Sequence, residues 1–163
     1  MGTPHAIRWR WRALDGFDAM ALFEYLRLRQ QVFIVEQRCI YPDLDDCDPP
    51  SLHLTGHDAA GRLVACLRLV PPGRKYPEPS IGRVVVCPTA RGGSIGHALV
   101  AEGLAEAARR YPGMAHRIGA QAHLAAFYGR HGFVPVGEVY DEDGIDHVDM
   151  LRRPDAALPA DPA

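Results

Sequence analysis

Ile81-Gly82-Arg83-Val84-Val85-Val86-Cys87-Pro88-Thr89-Ala90-Arg91-Gly92-Gly93-Ser94-Ile95-Gly96-His97-Ala98-Leu99-Val100 reads as a strand, a glycine-containing turn opened by an arginine, and the start of a helix. The β-branched run favours extended backbone, and Pro88 ends it by removing a ladder donor. Beyond Gly96 the period changes: Ile95, Leu99, Leu104 and Ala107 share one helical face, while Glu102, Glu106 and Arg110 share another. The turn therefore aims unpaired N–H groups and the positive end of a helix dipole at one point, beside Arg91. Two glycines let a ligand approach the backbone, and such a point favours a phosphate. A strand-to-helix turn also wants glycine for purely conformational reasons, so the turn by itself does not decide the function. A P-loop needs Gly-Lys-Ser/Thr where Gly96-His97 stands, and the spacing of Gly92, Gly93 and Gly96 is wrong for a dinucleotide-binding turn.

A chain of 163 residues with 47% hydrophobic and 23% charged content is expected to form one domain over residues 1–153, with a proline- and alanine-rich tail over 154–163. A net charge of −2 and the lack of a basic run with interleaved aromatics argue against nucleic-acid binding. No apolar run reaches the length of a membrane span, and the start Met1-Gly2-Thr3-Pro4-His5 has no signal-peptide core, so a cytoplasmic protein is expected. Cys39, Cys47, Cys66 and Cys87 form no zinc-ligand pattern, and no metal is expected.

Outward from the opening stretch, strands and helices alternate without internal repeat. Residues 7–12 alternate apolar and basic side chains as an edge strand does, and Asp18 can cap a helix reaching about Val32 through Leu22, Tyr25, Leu26 and Arg29. Residues 33–37 then lead into an acidic, proline-bounded loop. Strands follow at 52–58 and 62–70 around a hairpin turn at Ala59-Ala60-Gly61, then a long loop over 71–79. After the helix, the expected order is a strand at 116–122, a short helix at 124–130 stopped by Gly132, and two strands at 133–140 and 147–151 around a turn at Asp141-Glu142-Asp143-Gly144.

This order resembles the GNAT superfamily of acyl-CoA-dependent N-acyltransferases. Arg91-Gly92-Gly93-Ser94-Ile95-Gly96 is similar to its coenzyme A turn, with Ser94 where glycine is usual, and Phe127-Tyr128-Gly129-Arg130-His131-Gly132-Phe133 resembles its aromatic-Tyr-x-x-x-Gly-Phe segment. Leu28-Arg29, the run from Val32 to Gln37, Gly119-Ala120-Gln121-Ala122-His123-Leu124 and Glu142-Asp143-Gly144-Ile145-Asp146-His147 look like the ElaA-type subgroup, with Asp146 where that subgroup has proline. The resemblance implies an α/β (mixed α+β) fold: a strongly twisted mixed sheet flanked by helices and splayed centrally between the strands at 81–86 and 116–122. It also implies acetyl-CoA as co-substrate, its pantetheine arm beside Val84, Val85 and Val86 and its diphosphate at Arg91, Gly92, Gly93, Ser94, Ile95, Gly96 and His97.

The resemblance implies Tyr128 as the acid that protonates the departing thiolate, since a phenol keeps its proton at neutral pH. By its residues alone Tyr128 reads rather as a core ring with a satisfied hydroxyl, and it is the resemblance that favours catalysis. A primary amine arrives protonated, so a base is needed. Glu36 ranks first, on the expectation that burial behind four apolar residues raises its pKa, and His147 second. Glu36 also reads as a structural partner of an arginine. Asp43, Asp45, Asp46 and Asp48 fail the calcium-loop pattern, because Cys47 holds a ligand position. They read as a solvated loop or as a field attracting a cationic, polyamine-like substrate. The expected partner is a small-molecule or peptide amine, with a homodimer through exposed strand edges also in view. Two function classes stand open: an N-acetyltransferase and a non-catalytic coenzyme A or acyl-CoA binding module.

Overall fold

The computed structural model describes residues 6–155; the opening five residues and the tail beyond Asp155 lie outside it. Strand β1 (Arg8–Ala13) precedes helix α1 (Ala19–Arg29), whose first turn is capped by Asp18 accepting from the Ala21 N–H at 2.8 Å. The helix does not stop near Val32. It widens into a π-helical segment, Gln30–Glu36, which buries Val32 and Phe33 on the same side. Strands β2 (Leu52–His57), β3 (Leu63–Val70) and β4 (Ser80–Val86) follow, then α2 (Ile95–Arg110), β5 (His116–Gln121), α3 (Ala125–Gly129), β6 (Val134–Pro135), β7 (Tyr140–Glu142) and β8 (Ile145–Arg152). Among the described residues no helix is long and apolar enough to cross a membrane.

The strands form two antiparallel ladders, β1-β2-β3-β4 and β5-β8-β6, with β7 also paired to β8. Between β4 and β5 there is no ladder. The two halves share one hydrophobic core, and strands β4 and β5 are bonded at one end, where the Ile81 N–H donates to Nε2 of buried His116 at 2.8 Å and the Arg117 N–H to the Pro79 carbonyl at 3.2 Å. From there the strands part, which is the central splay the resemblance implies. Helix α2 closes one face through Leu99, Val100 and Leu104, packed with Leu54, Leu67 and Ile81. Gly103 permits the close approach: a Cβ there would lie 3.0 Å from a Leu67 methyl and 3.2 Å from an Ile81 methyl. A second cluster, Tyr25, Leu28, Val32, Phe33, Cys66 and Val85, seats α1 on the opposite face.

Strand β4 carries a bulge. Cys66 pairs with Val85 and Arg68 with Gly82, so Arg83 and Val84 together oppose Leu67, and Arg83 takes a left-handed φ of 50°. The bulge turns the strand away from a straight ladder where the gap begins. Two expected boundaries differ. The strand foreseen at 133–140 is interrupted, because Pro135 supplies no donor and Gly137 takes φ 89°. Asp141 and Glu142, foreseen in a turn, belong to β7, and the reversal is confined to Asp143 and Gly144, both at positive φ.

Candidate active site

Where β4 and β5 part lies a cavity of about 710 Å3, walled by Val84 on one side and Ile118 and Ala120 on the other. The α1 to β2 connection contributes Tyr41 and Asp45, the β3 to β4 loop Arg74 and Lys75, and β8 His147.

Tyr128 lines this cavity, with its ring edge-on to Phe127 and Phe133. Its hydroxyl has no hydrogen-bond partner among the described residues, and burial alone pushes its pKa above the ordinary phenol value. A phenol so placed keeps its proton. His147 lines the same cavity, its Nδ1 2.8 Å from the Ile145 carbonyl, which fixes the ring, and its Nε2 3.5 Å from Glu142 Oε2. Val84 lies on the gap. Val86 is not among the residues lining the cavity, and its carbonyl accepts from Arg91 Nε at 3.0 Å. Val85 faces away: the Cys87 N–H bonds the Val64 carbonyl, so by antiparallel alternation the backbone groups of Val85 point to β3, and its side chain is buried toward α1.

Glu36 does not behave as expected. It stands outside the cavity, about two-fifths exposed, in a two-pronged pair with Arg91 at 2.6 and 2.9 Å. That hydrogen bond holds its pKa below the usual glutamate value, so the anticipated upward shift by burial does not occur.

The turn itself is open. Gly92 takes φ 91°, and a Cβ at Gly92 or Gly93 would meet nothing within 4 Å. Ser94 has φ −93°, so the glycine usual there is not required by this backbone, and its side chain makes no capping bond. The backbone N–H groups of Gly92, Gly93, Ser94, Ile95, Gly96 and His97 find no acceptor among the described residues. Six free amides at the start of a 16-residue helix, under a clear approach, fit an anionic group such as a diphosphate. His97 is further held by its Nδ1 at 2.9 Å from His131 Nε2 and by its ring against Phe127.

Residues 33–153 match the acetyltransferase (GNAT) domain family. The chain belongs to that family. It is 44% identical over 147 residues to UPF0039 protein sll0451 of Synechocystis, covering 90% of this chain and 96% of the relative. It is 37% identical over 149 residues to protein ElaA of Escherichia coli, covering 90% and 97%. Among solved structures, an acyl-CoA N-acyltransferase from Pseudomonas aeruginosa superposes with a TM-score of 0.84 at 40% identity, covering 90% of this chain and 99% of that one. As a GNAT protein the chain is an acyl-CoA-dependent N-acyltransferase, and the splayed strands and open turn are what that chemistry needs.

One constellation escaped the sequence reading. Arg29, fully buried on α1, donates Nε to Asp43 at 3.0 Å and Nη1 to Asp48 at 2.8 Å. Arg68, buried on β3, holds Asp45 at 2.6 Å and Asp48 at 3.1 Å, while Arg83 at the bulge holds Asp43 at 2.8 Å. Three arginines and three aspartates balance beneath the GNAT cavity, and Asp48 is drawn down to about 2, its hydrogen bond from Arg29 and the arginine charges outweighing desolvation. Asp43, Asp45 and Asp48 are therefore not a free negative field; of the four aspartates Asp46 alone stays exposed and outside these pairs, so the expectation of a polyamine-like substrate loses most of its basis. The available signal was a charge inside an apolar run: Arg68 within Leu63-Val64-Ala65-Cys66-Leu67-Arg68-Leu69-Val70, and Arg29 on the apolar stripe of α1.

Proposed function

We propose that the protein transfers an acetyl or other short acyl group from coenzyme A directly to a primary amine, with both bound at once. The reading rests on one juxtaposition above all. The unpartnered, protonated hydroxyl of Tyr128 faces the same parted strands whose far end carries the six free amides of the turn. Gly92 to His97 would hold the diphosphate, and Val84 and Val86 the pantetheine arm. Acyl-CoA bound there supplies a thioester carbonyl that an amine can attack.

The chain's own groups do the rest. The cavity walls hold the amine against the acyl carbon, and alignment of this kind lowers a barrier by about 7 to 11 kcal/mol in favourable cases. His147, on the cavity with Nδ1 tied to a carbonyl, is the better-placed base, and Glu36 serves instead to hold Arg91. His147 Nε2 first takes a proton from the ammonium, which frees the lone pair to attack. As the N–C bond forms and the C–S bond breaks, Tyr128 gives a proton to the sulfur, and the second proton lost by the nitrogen returns to Tyr128 through solvent. Free-thiol release from acetyl-CoA over a panel of amines, measured beside thermal stabilisation by coenzyme A, tests the reading. Stabilisation with amine-dependent thiol release is the expected result. Stabilisation without thiol release on any amine would make the protein a binding module instead.

A further inference from the structure

The charges around the acceptor end of the cavity do not all have the same status. Of the basic side chains lining it, Arg68 and Arg83 are consumed by Asp45 and, behind it, by Asp48 and Asp43. Asp45 is in turn fully engaged, accepting from both guanidinium nitrogens of Arg68. What remains is two cations and two carboxylates. Arg74 and Lys75, on the loop between β3 and β4, form no ion pair among the described residues. Lys75 is also the only lysine among 18 basic residues in the chain. The same cavity is also lined by Glu142 and Asp143, on the hairpin of β7 and β8, with Glu142 beside His147.

The loop carrying Arg74 and Lys75 is pinned over the second sheet. Tyr76 reaches Asp149 at 3.5 Å and stacks beneath the Arg117 guanidinium, and Gly73 closes a turn onto the Tyr76 carbonyl at 2.7 Å. Desolvation lowers the Lys75 pKa; Glu142 is the principal opposite charge working against that, while Arg83 and Arg68 add to it as like charges. A bound group that brings only positive charge would satisfy Glu142 and Asp143 and confront Arg74 and Lys75. A group that brings only negative charge would do the reverse. One carrying both satisfies both poles.

We infer that the acceptor is an amine that also bears a carboxylate, of the α-amino-acid type, its carboxylate held by Arg74 and Lys75 and its amino group directed to Glu142 and His147. A guanidinium and an ammonium together suit a carboxylate, the first as a planar fork and the second as a point charge. The acidic pole draws the amine toward the base that must deprotonate it. This assignment rests on the acyltransfer reading above and names its substrate class.

The experiment compares kcat/KM of the full chain for three acceptors: an α-amino acid, the same compound as its α-carboxamide, and a linear diamine, all with acetyl-CoA. The amino acid is expected to exceed the amide by at least about tenfold, the scale of one charge-assisted contact pair lost. In the Arg74→Ala/Lys75→Ala double variant the ratio of the two is expected to collapse toward one, with the melting temperature recorded to show that the variant folds. The amide or the diamine as the better substrate, or a ratio unmoved by the double substitution, would overturn the carboxylate assignment while leaving acyltransfer intact. No thiol release from any acceptor, with coenzyme A still stabilising the protein, would instead overturn the acyltransfer reading and this one with it.

Discussion

Tyr128 and Glu36 show how differently two residues of similar promise resolve. Tyr128 sits buried against two phenylalanines with its hydroxyl unspent, so Tyr128→Phe removes a proton donor and no packing. Turnover is expected to fall at least about tenfold with coenzyme A affinity nearly unchanged, measured by steady-state kinetics beside calorimetry. Glu36 is spent on Arg91 in an exposed pair of the kind that contributes little, roughly 0 to 1 kcal/mol. Glu36→Gln should therefore leave the pH profile of turnover unshifted, whereas His147→Gln should lower turnover by about a hundredfold. A pH profile that loses its acidic limb in Glu36→Gln would restore Glu36 as the base. The sequence could not separate these residues. Whether four apolar neighbours bury a glutamate depends on which way a helix turns them, and the π-helical segment Gln30–Glu36 turns Val32 and Phe33 inward and Glu36 out.

Among the elements, the strand-turn-helix unit was the most legible, because β-branched residues, Pro88 and the glycines act locally and need no tertiary partner. The structure carries it as β4, an open turn and α2, and Gly92 is the position that needs its glycine. With φ at 91° it tolerates no side chain without strain, so Gly92→Ala is expected to weaken coenzyme A binding by about tenfold, read by calorimetry, with a smaller change in melting temperature. The bulge at Arg83 was invisible, since a left-handed arginine carries no sequence mark and is held by Asp43 and Asp45, about 40 residues away. The short β6 was overread for the opposite reason. Phe133-Val134-Pro135-Val136 has strand composition, but Pro135 and Gly137 limit the ladder with β8 to Val134 and Pro135, with one further bond from the Val136 N–H to the Asp149 carbonyl at 2.8 Å.

Across the whole molecule, the two half-sheets are joined by few bonds and underpinned by a charged network, and both are acid-sensitive. Asp48→Ala would leave buried Arg29 and Arg68 short of a partner, and stability should drop by about 3 to 5 kcal/mol in urea unfolding. Burial holds His116 down to about 3, and as the acceptor of the Ile81 N–H it must be neutral to bridge the sheets. Its pKa is thus depressed on folding, so its contribution is complete above about pH 6.5, the unfolded value, and is lost as pH falls toward 3. Asp48, held at about 2, adds a further loss below about pH 4. Urea midpoints should accordingly begin to fall below about pH 6.5, and His116→Gln should flatten the upper part of that decline. Midpoints constant from pH 7 to 4 would contradict this.

The alternation of strands and helices, the family resemblance and the open turn could be read from residues near one another in the chain. The cavity's charges could not, because Arg29, Asp43, Arg68 and Arg83 meet only through the fold. The most direct measurement is a crystal structure grown with coenzyme A. It should show the diphosphate on the amides of residues 92–97 and the thiol in the parting of β4 and β5, beside the Tyr128 hydroxyl. Density for the cofactor elsewhere, with those amides bare, would contradict the account.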